Sequence, residues 1–284
     1  MSEATDRGLG RPLQGDRPAQ APRGTSLLLP AWGLFARELL RFVRQPGRVL
    51  GSLGTPLLFW LLLGSGFGKT FQPPGLAQGM DYLTYFFQGT VLLVVLFTAI
   101  FASISVIQDR TEGFLQGVLV APVPRLAIVL GKVLGGATLG FVQGLIMLLL
   151  APLAGLALTL PGFLGACAAL FLTALSLSAL GFLFAWRMES VQSFHAVMNL
   201  LLMPMWLLSG ALFSAAGASW WIRAVMAVNP LSYGLTALRG ALHPAAERAA
   251  LGVGDPWLAG AVVACFSVAM LLGAAWAASR PERG

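Results

Sequence analysis

Charge is what this chain has least of: Asp, Glu, Lys and Arg make up only 10% of its 284 residues, where an ordinary soluble domain carries about 25%. With 57% apolar residues and a mean hydropathy of +0.80, a water-soluble globular domain is excluded, and an all-α polytopic membrane protein is expected. Cysteine is nearly absent. Cys167 and Cys265 both fall inside apolar runs, which excludes a disulfide framework and a thiolate metal site. The two histidines, His195 and His243, follow no metal-ligand spacing. No Asp or Glu sits in the middle of a long apolar run. This argues against a proton- or sodium-driven carrier, which needs ionisable relay groups at mid-membrane. The 18 basic residues outnumber the 11 acidic ones, but they are spread over connections instead of forming one stripe, so no nucleic-acid partner is expected.

What is present is a series of apolar runs near the roughly 20 residues a bilayer requires. Residues 1–26 are rich in Pro, Gly, Arg and Gln, too polar to offset ordering entropy, and are predicted to be a disordered cytoplasmic tail. The tail carries Glu3, Asp6 and Asp16, so it does not read as a signal peptide. A single transmembrane domain is expected over residues 27–284. Leu27 to Arg48 alternates apolar residues with Arg37, Glu38, Arg41, Arg44 and Arg48, which predicts an amphipathic helix on the inner leaflet, arginines toward anionic lipid. Six spans follow: Val49–Phe67, irregular at Gly51, Gly54 and Pro56; Tyr82–Ile107, after a polar loop over Lys69–Asp81; Val129–Leu153; Phe163–Trp186, after a loop at Pro161 and Gly162; Val191–Phe213, kinked by Pro204; and Trp257–Ala278. Ser214 to Asp255 is too apolar for a free loop and too interrupted for a span, so two short helices dipping into the outer leaflet are expected, anchored by Trp220 and Trp221. With both termini inside, all of the 18 Lys and Arg except Lys69, Arg223, Arg239 and Arg248 are cytoplasmic, as the positive-inside rule requires.

Gln108 to Lys132, QDRTEGFLQGVLVAPVPRLAIVLGK, is the charged, proline-marked segment between the second and third spans. At about 100° per residue, Phe114, Leu115, Val118 and Leu119 share one side while Asp109, Glu112 and Gln116 share the other. A short amphipathic helix at the membrane surface is predicted, ended by Pro122 and Pro124, with Arg125 and Lys132 snorkelling to headgroups. Arg110, Glu112, Gly113, Leu115, Leu119, Pro122, Val123, Arg125, Gly131 and Lys132 resemble the cytoplasmic loop of ABC-2 type transporter permeases, and the hydropathy plan from Ala31 to Ala278 resembles that family as well. The resemblance to the family's drug-resistance and lipo-oligosaccharide export branch implies a plasma-membrane (cell inner membrane) exporter subunit. It would work as a dimer with a second copy or a paralogue, docked on separate ATPase subunits that hold the ATP and Mg. Docking would then fall on Asp109, Arg110, Glu112, Leu115, Leu119, Pro122 and Arg125. A cargo cavity without charges suits apolar or amphipathic molecules, with Tyr85, Phe86, Phe213 and Tyr233 on its path, although outer-end aromatics equally serve as interface anchors.

Other readings of single motifs are weaker. GSGFGKT at Gly64–Thr70 ends like a phosphate loop, but Leu63 stands where the first glycine belongs and no strand precedes it. The chain therefore has no ATPase of its own in this reading. Ser209 with His195 suggests an intramembrane protease, yet fourteen residues on one helix separate them by about 21 Å. His195 is expected to pair with Glu189 or Asn199, and His243 to lie in an external turn. A membrane scaffold binding a cytoplasmic partner, and an ion-gradient carrier, stay open as alternatives.

Overall fold

The computed structural model describes residues 27–67, 81–251 and 253–280. The predicted tail over 1–26, nearly all of the loop Lys69–Asp81 and the end of the GSGFGKT motif lie outside them. Among the described residues every regular element is helical. Six helices are long and apolar enough to cross a membrane. They are α2 (Pro46–Phe67), α3 (Tyr82–Thr111), α5 (Arg125–Leu148), α6 (Leu160–Ala185), α7 (Val191–Trp206, extended by a π turn to Ala211) and α11 (Pro256–Ser279). Around them lie α1 (Leu28–Val43), α4 (Phe114–Val120), α8 (Trp220–Val228), α9 (Pro230–Leu242) and α10 (Ala245–Ala250).

Helix α3 is the axis of the bundle. It is buried along almost its whole length and touches α2, α5, α6, α7 and α9. Helix α11 shows the opposite pattern. Its buried positions Ala259, Val263, Ser267, Ala274 and Ala278 recur every fourth residue or so and trace one face, while Leu258, Val268, Leu272 and Trp276 stay exposed. Such an apolar exterior on a well-packed bundle belongs in lipid.

Local chemistry sets several boundaries differently from the hydropathy pattern. The expected helix Leu27–Arg48 ends at Val43, and α2 begins at Pro46, because proline suits a first helical turn and the residue before it avoids helical backbone. Pro161 and Gly162 are not a loop. Thr159 caps α6 by accepting from the Gly162 N–H at 3.2 Å, with Pro161 in the first turn. The third span ends at Leu148, followed by a 3₁₀ turn over Ala151–Ala154 that Gly155 closes. Past Pro204, the kink of α7 is taken up by the π turn Leu207–Ala211, with Gly210 at φ 92°. The described residues of 214–255 contain a 3₁₀ turn, Ala215–Gly217, and three short α-helices instead of two helices, and α9 is no surface element: Leu231, Leu235 and Leu238 bury it against α6 and α11.

Helix α1 packs along α5 at glycines. A β-carbon on Gly131 would lie 2.6 Å from Leu34 Cβ, and one on Gly135 would lie 2.8 Å from Glu38 Cβ, so only glycine lets the two backbones approach this closely. The inward face of α1 is mixed: Leu34, Glu38 and Phe42 are buried, and two of the arginines expected toward lipid are drawn in with them. Leu29, Trp32, Leu40 and Val43 face outward, and Arg37 and Arg41 turn inward toward Asp109.

Candidate functional site

The α4 end of the bundle gathers a dense cluster of charged side chains. Helix α3 runs to Thr111, one turn further than its apolar stretch, and stops where Gly113 adopts φ 78°. This left-handed conformation favours glycine. The chain then turns into α4 instead of continuing as one helix from Gln108. Asp109 is therefore on α3, not on the polar side of α4, and its side chain is fully buried.

Around Asp109 six charges balance. Arg37 donates to Asp109 Oδ2 at 2.7 Å and Arg41 to Oδ1 at 2.6 Å. Arg41 also reaches Glu112 at 3.0 Å. Lys132, expected to snorkel to headgroups, is buried between Glu38 and Asp109, with Ser105 Oγ a further acceptor at 3.3 Å. Burial works against the charge on Arg37, yet the hydrogen bond and attraction from Asp109 outweigh it and raise its pKa. Three elements are thus clamped by one carboxylate: α1 through its arginines, α5 through Lys132, and α3 through Asp109 itself. Buried ions this close persist only with their partners, since removing one leaves an uncompensated charge.

Helix α4 is joined to this clamp from outside. The Arg37 guanidinium lies 3.6 Å over the Phe114 ring, and Leu115 is inserted into the core. Leu119 is half-buried beside it. Arg110 donates to the carbonyls of Trp186 and Met188, tying the end of α3 to the turn between α6 and α7. Arg125 donates to Ala278 O at 2.7 Å and Arg280 O at 3.0 Å, holding α5 to the C-terminal carbonyls of α11. Of the residues expected to contact a partner, Asp109 and Leu115 are buried, whereas Arg110 and Arg125 hydrogen-bond within the molecule while Arg110 is half-buried and Arg125 exposed. Glu112, Pro122 and two exposed neighbours, Gln116 and Val120, present the outer surface.

The aromatic residues expected on a cargo path do not line the large cavity bordered by α6, α9 and α11. Tyr85 and Phe86 are fully buried; the Tyr85 hydroxyl donates to Gly210 O at 2.8 Å, and Phe86 stacks on Tyr82. Phe213 is half-buried, and Tyr233 donates to Ala227 O at 2.6 Å. His195 lies edge-on to Phe101 and Phe194 in place of the expected polar pairing.

A second polar chain, invisible in the sequence, lies at the opposite end. Arg239, expected outside, is buried against the Tyr85 ring at 4.2 Å and donates to Gly210 O at 3.1 Å and to Gln88 Oε1 at 3.3 Å. The Gln88 amide then faces His243 Nε2 at 2.7 Å, so the neutral imidazole carries its proton on Nδ1, toward Glu247 at 2.9 Å. His243 is thus buried rather than lying in an external turn. Burial lowers its pKa, with Arg239 and Arg248 acting the same way against Glu247. Only the Asn229-Pro230 cap, with its 13-residue helix behind it, offered a sequence signal for this packing.

Six apolar helices of spanning length, with a short helix held beside a cluster of charges at one end, define a multi-pass α-helical membrane protein. The chain belongs to the ABC-2 type transporter family, which matches residues 31–243, and is accordingly a membrane permease of an ABC transporter. It is similar to a protein of Cyanophora paradoxa named for a transport permease, ycf38: 26% identical over 211 residues, 72% of this chain and 71% of the relative. It is also similar to the daunorubicin resistance ABC transporter permease protein DrrB1 of Streptomyces coeruleorubidus, 23% identical over 236 residues, 81% of this chain and 79% of the relative.

Proposed function

We propose that this permease exports an apolar or amphipathic substrate, such as a drug, a lipid or a lipid-linked glycan, using ATP and Mg bound by separate ATPase subunits that dock on α4. The observation that carries this reading is the mechanical join at α4: its outer face is open, its inner face is seated through Leu115, and Arg37 links it to the Asp109 clamp. A push on α4 therefore reaches α1, α3 and α5 together. The scarcity of charge inside the spans suits an apolar cargo, and the drug-resistance name of one relative agrees in class. The permease would act in the plasma membrane, both termini in the cytoplasm, as a dimer with a second copy or a paralogue.

Co-purification with candidate ATPase subunits tests the docking. Wild type and Val268→Ala, a change on the outward face of α11, should each retain an ATPase, whereas Glu112→Arg and Val120→Asp should lose it. Retention by both α4 variants would move docking elsewhere. If no ATPase associates with any form, the scaffold reading takes its place.

A further inference from the structure

Between α6, α9 and α11, at the end of the bundle away from α4, lies a cavity of about 970 Å³, at the upper end of the roughly 300–1,000 Å³ typical of small-molecule sites. Its walls are built from small residues, among them Gly165, Ala168, Gly260 and Ala264. These leave room: a β-carbon on Gly260 would meet no atom within 4 Å. Ser267 Oγ, donating to Leu172 O at 3.0 Å, ties α11 to α6 beside the cavity, whose wall includes Leu172. Trp257, 87% exposed, stands at the rim.

The charged residues of the lining are Glu247 and Arg248. Glu247 leaves 48% of its side chain exposed while accepting from His243. Arg248 donates its Nε–H to His243 O at 2.8 Å, which fixes the guanidinium and directs no terminal N–H at a described residue. One acid and one base thus stand side by side above an apolar trough. An anionic amphiphile would meet Glu247 and a cationic one Arg248, whereas a zwitterion satisfies both. We propose that the groove holds one zwitterionic glycerophospholipid, its phosphate on Arg248, its ammonium on Glu247, and an acyl chain along the wall between α6 and α11. Arginine suits a phosphate because its planar donors match the oxygens, and the chain replaces water against an apolar wall.

This site does not rest on the transport reading and is tested on the full chain alone. Delipidated protein in detergent is titrated with phosphatidylethanolamine and, separately, with phosphatidylglycerol, and bound lipid per chain is counted by native mass spectrometry. Phosphatidylethanolamine should saturate at one molecule per chain, with phosphatidylglycerol at least about ten-fold weaker. Glu247→Gln should erase that preference, and Gly260→Leu, which fills the wall, should remove the bound lipid. Equal uptake of both lipids by the wild type, or uptake unchanged in Gly260→Leu, overturns the proposal. A Gly260→Leu protein that changes oligomeric mass but keeps its lipid overturns it too, and assigns the groove to a second copy. Should Gly260→Leu fail to fold, Glu247→Gln decides: a preference that survives it overturns the proposal.

Discussion

Lys132 has nowhere to place its charge except between Glu38 and Asp109. Lys132→Met should therefore lower stability by about 3–5 kcal/mol, the cost of stranding a buried partner. The double variant Glu38→Leu/Lys132→Met should be milder than Lys132→Met alone, because Glu38 no longer waits for a cation while Asp109 keeps both arginines. Thermal unfolding in detergent reads both. His243 predicts a pH dependence: its folded pKa is depressed, so the unfolded chain takes up the proton first. The stability it contributes is present above its ordinary value near 6.5 and is lost as pH falls below that. The melting temperature should drop with acidification below about 6.5, and His243→Gln should flatten that component. Little of this was legible at the level of single residues. Lys132 and Arg37 read as membrane-surface cations because their partners come from helices distant in sequence, and hydropathy carries no record of which helices meet.

At the scale of elements, the turn at Gly113 sets how α4 leaves α3. Gly113→Val forces a branched side chain into left-handed backbone and should cost about 1–2 kcal/mol. It should also weaken ATPase co-purification as strongly as a change on the α4 surface. The existence of all six spans was legible, since each depends on a long apolar run. Their ends were not, where caps and turns overrode composition: Thr159 pulls Pro161 into α6, and Gly113 separates α4 from a helix that the spacing alone joined to Asp109. The seam between α1 and α5 needs Gly131 and Gly135 to face Leu34 and Glu38, which depends on a packing angle and not on periodicity.

Across the whole molecule, burial is uneven. Helix α2 buries Ser52, Pro56, Trp60 and Gly64, with Ser52 donating to Gln143 on α5 and Trp60 to Leu83 O on α3, and leaves Leu50, Leu58, Leu61 and Leu62 outward, so the dimer in the proposed exporter has an available face there. With Cys167 and Cys265 replaced, Leu62→Cys should yield oxidative cross-links between two chains, whereas Leu272→Cys on α11 should not. Equal cross-linking at both sites would remove α2 from the contact. The order of elements and the class of fold followed from hydropathy and basic-residue placement. The central place of α3 and the burial of α9 did not, because runs of similar hydrophobicity do not say which helix lies in the middle.

The clamp at Asp109 also bears on how the chain is made. Synthesis runs from the N-terminus, so Arg37, Glu38 and Arg41 emerge well before Asp109, and Lys132 later still. Until α5 has entered the bilayer, Glu38 lacks its cation and α1 has no glycine seam to lie in. Closure of the clamp thus requires α1, α3 and α5 all to be in place. A chain ending before Lys132 would leave Glu38 without its ion-pair partner.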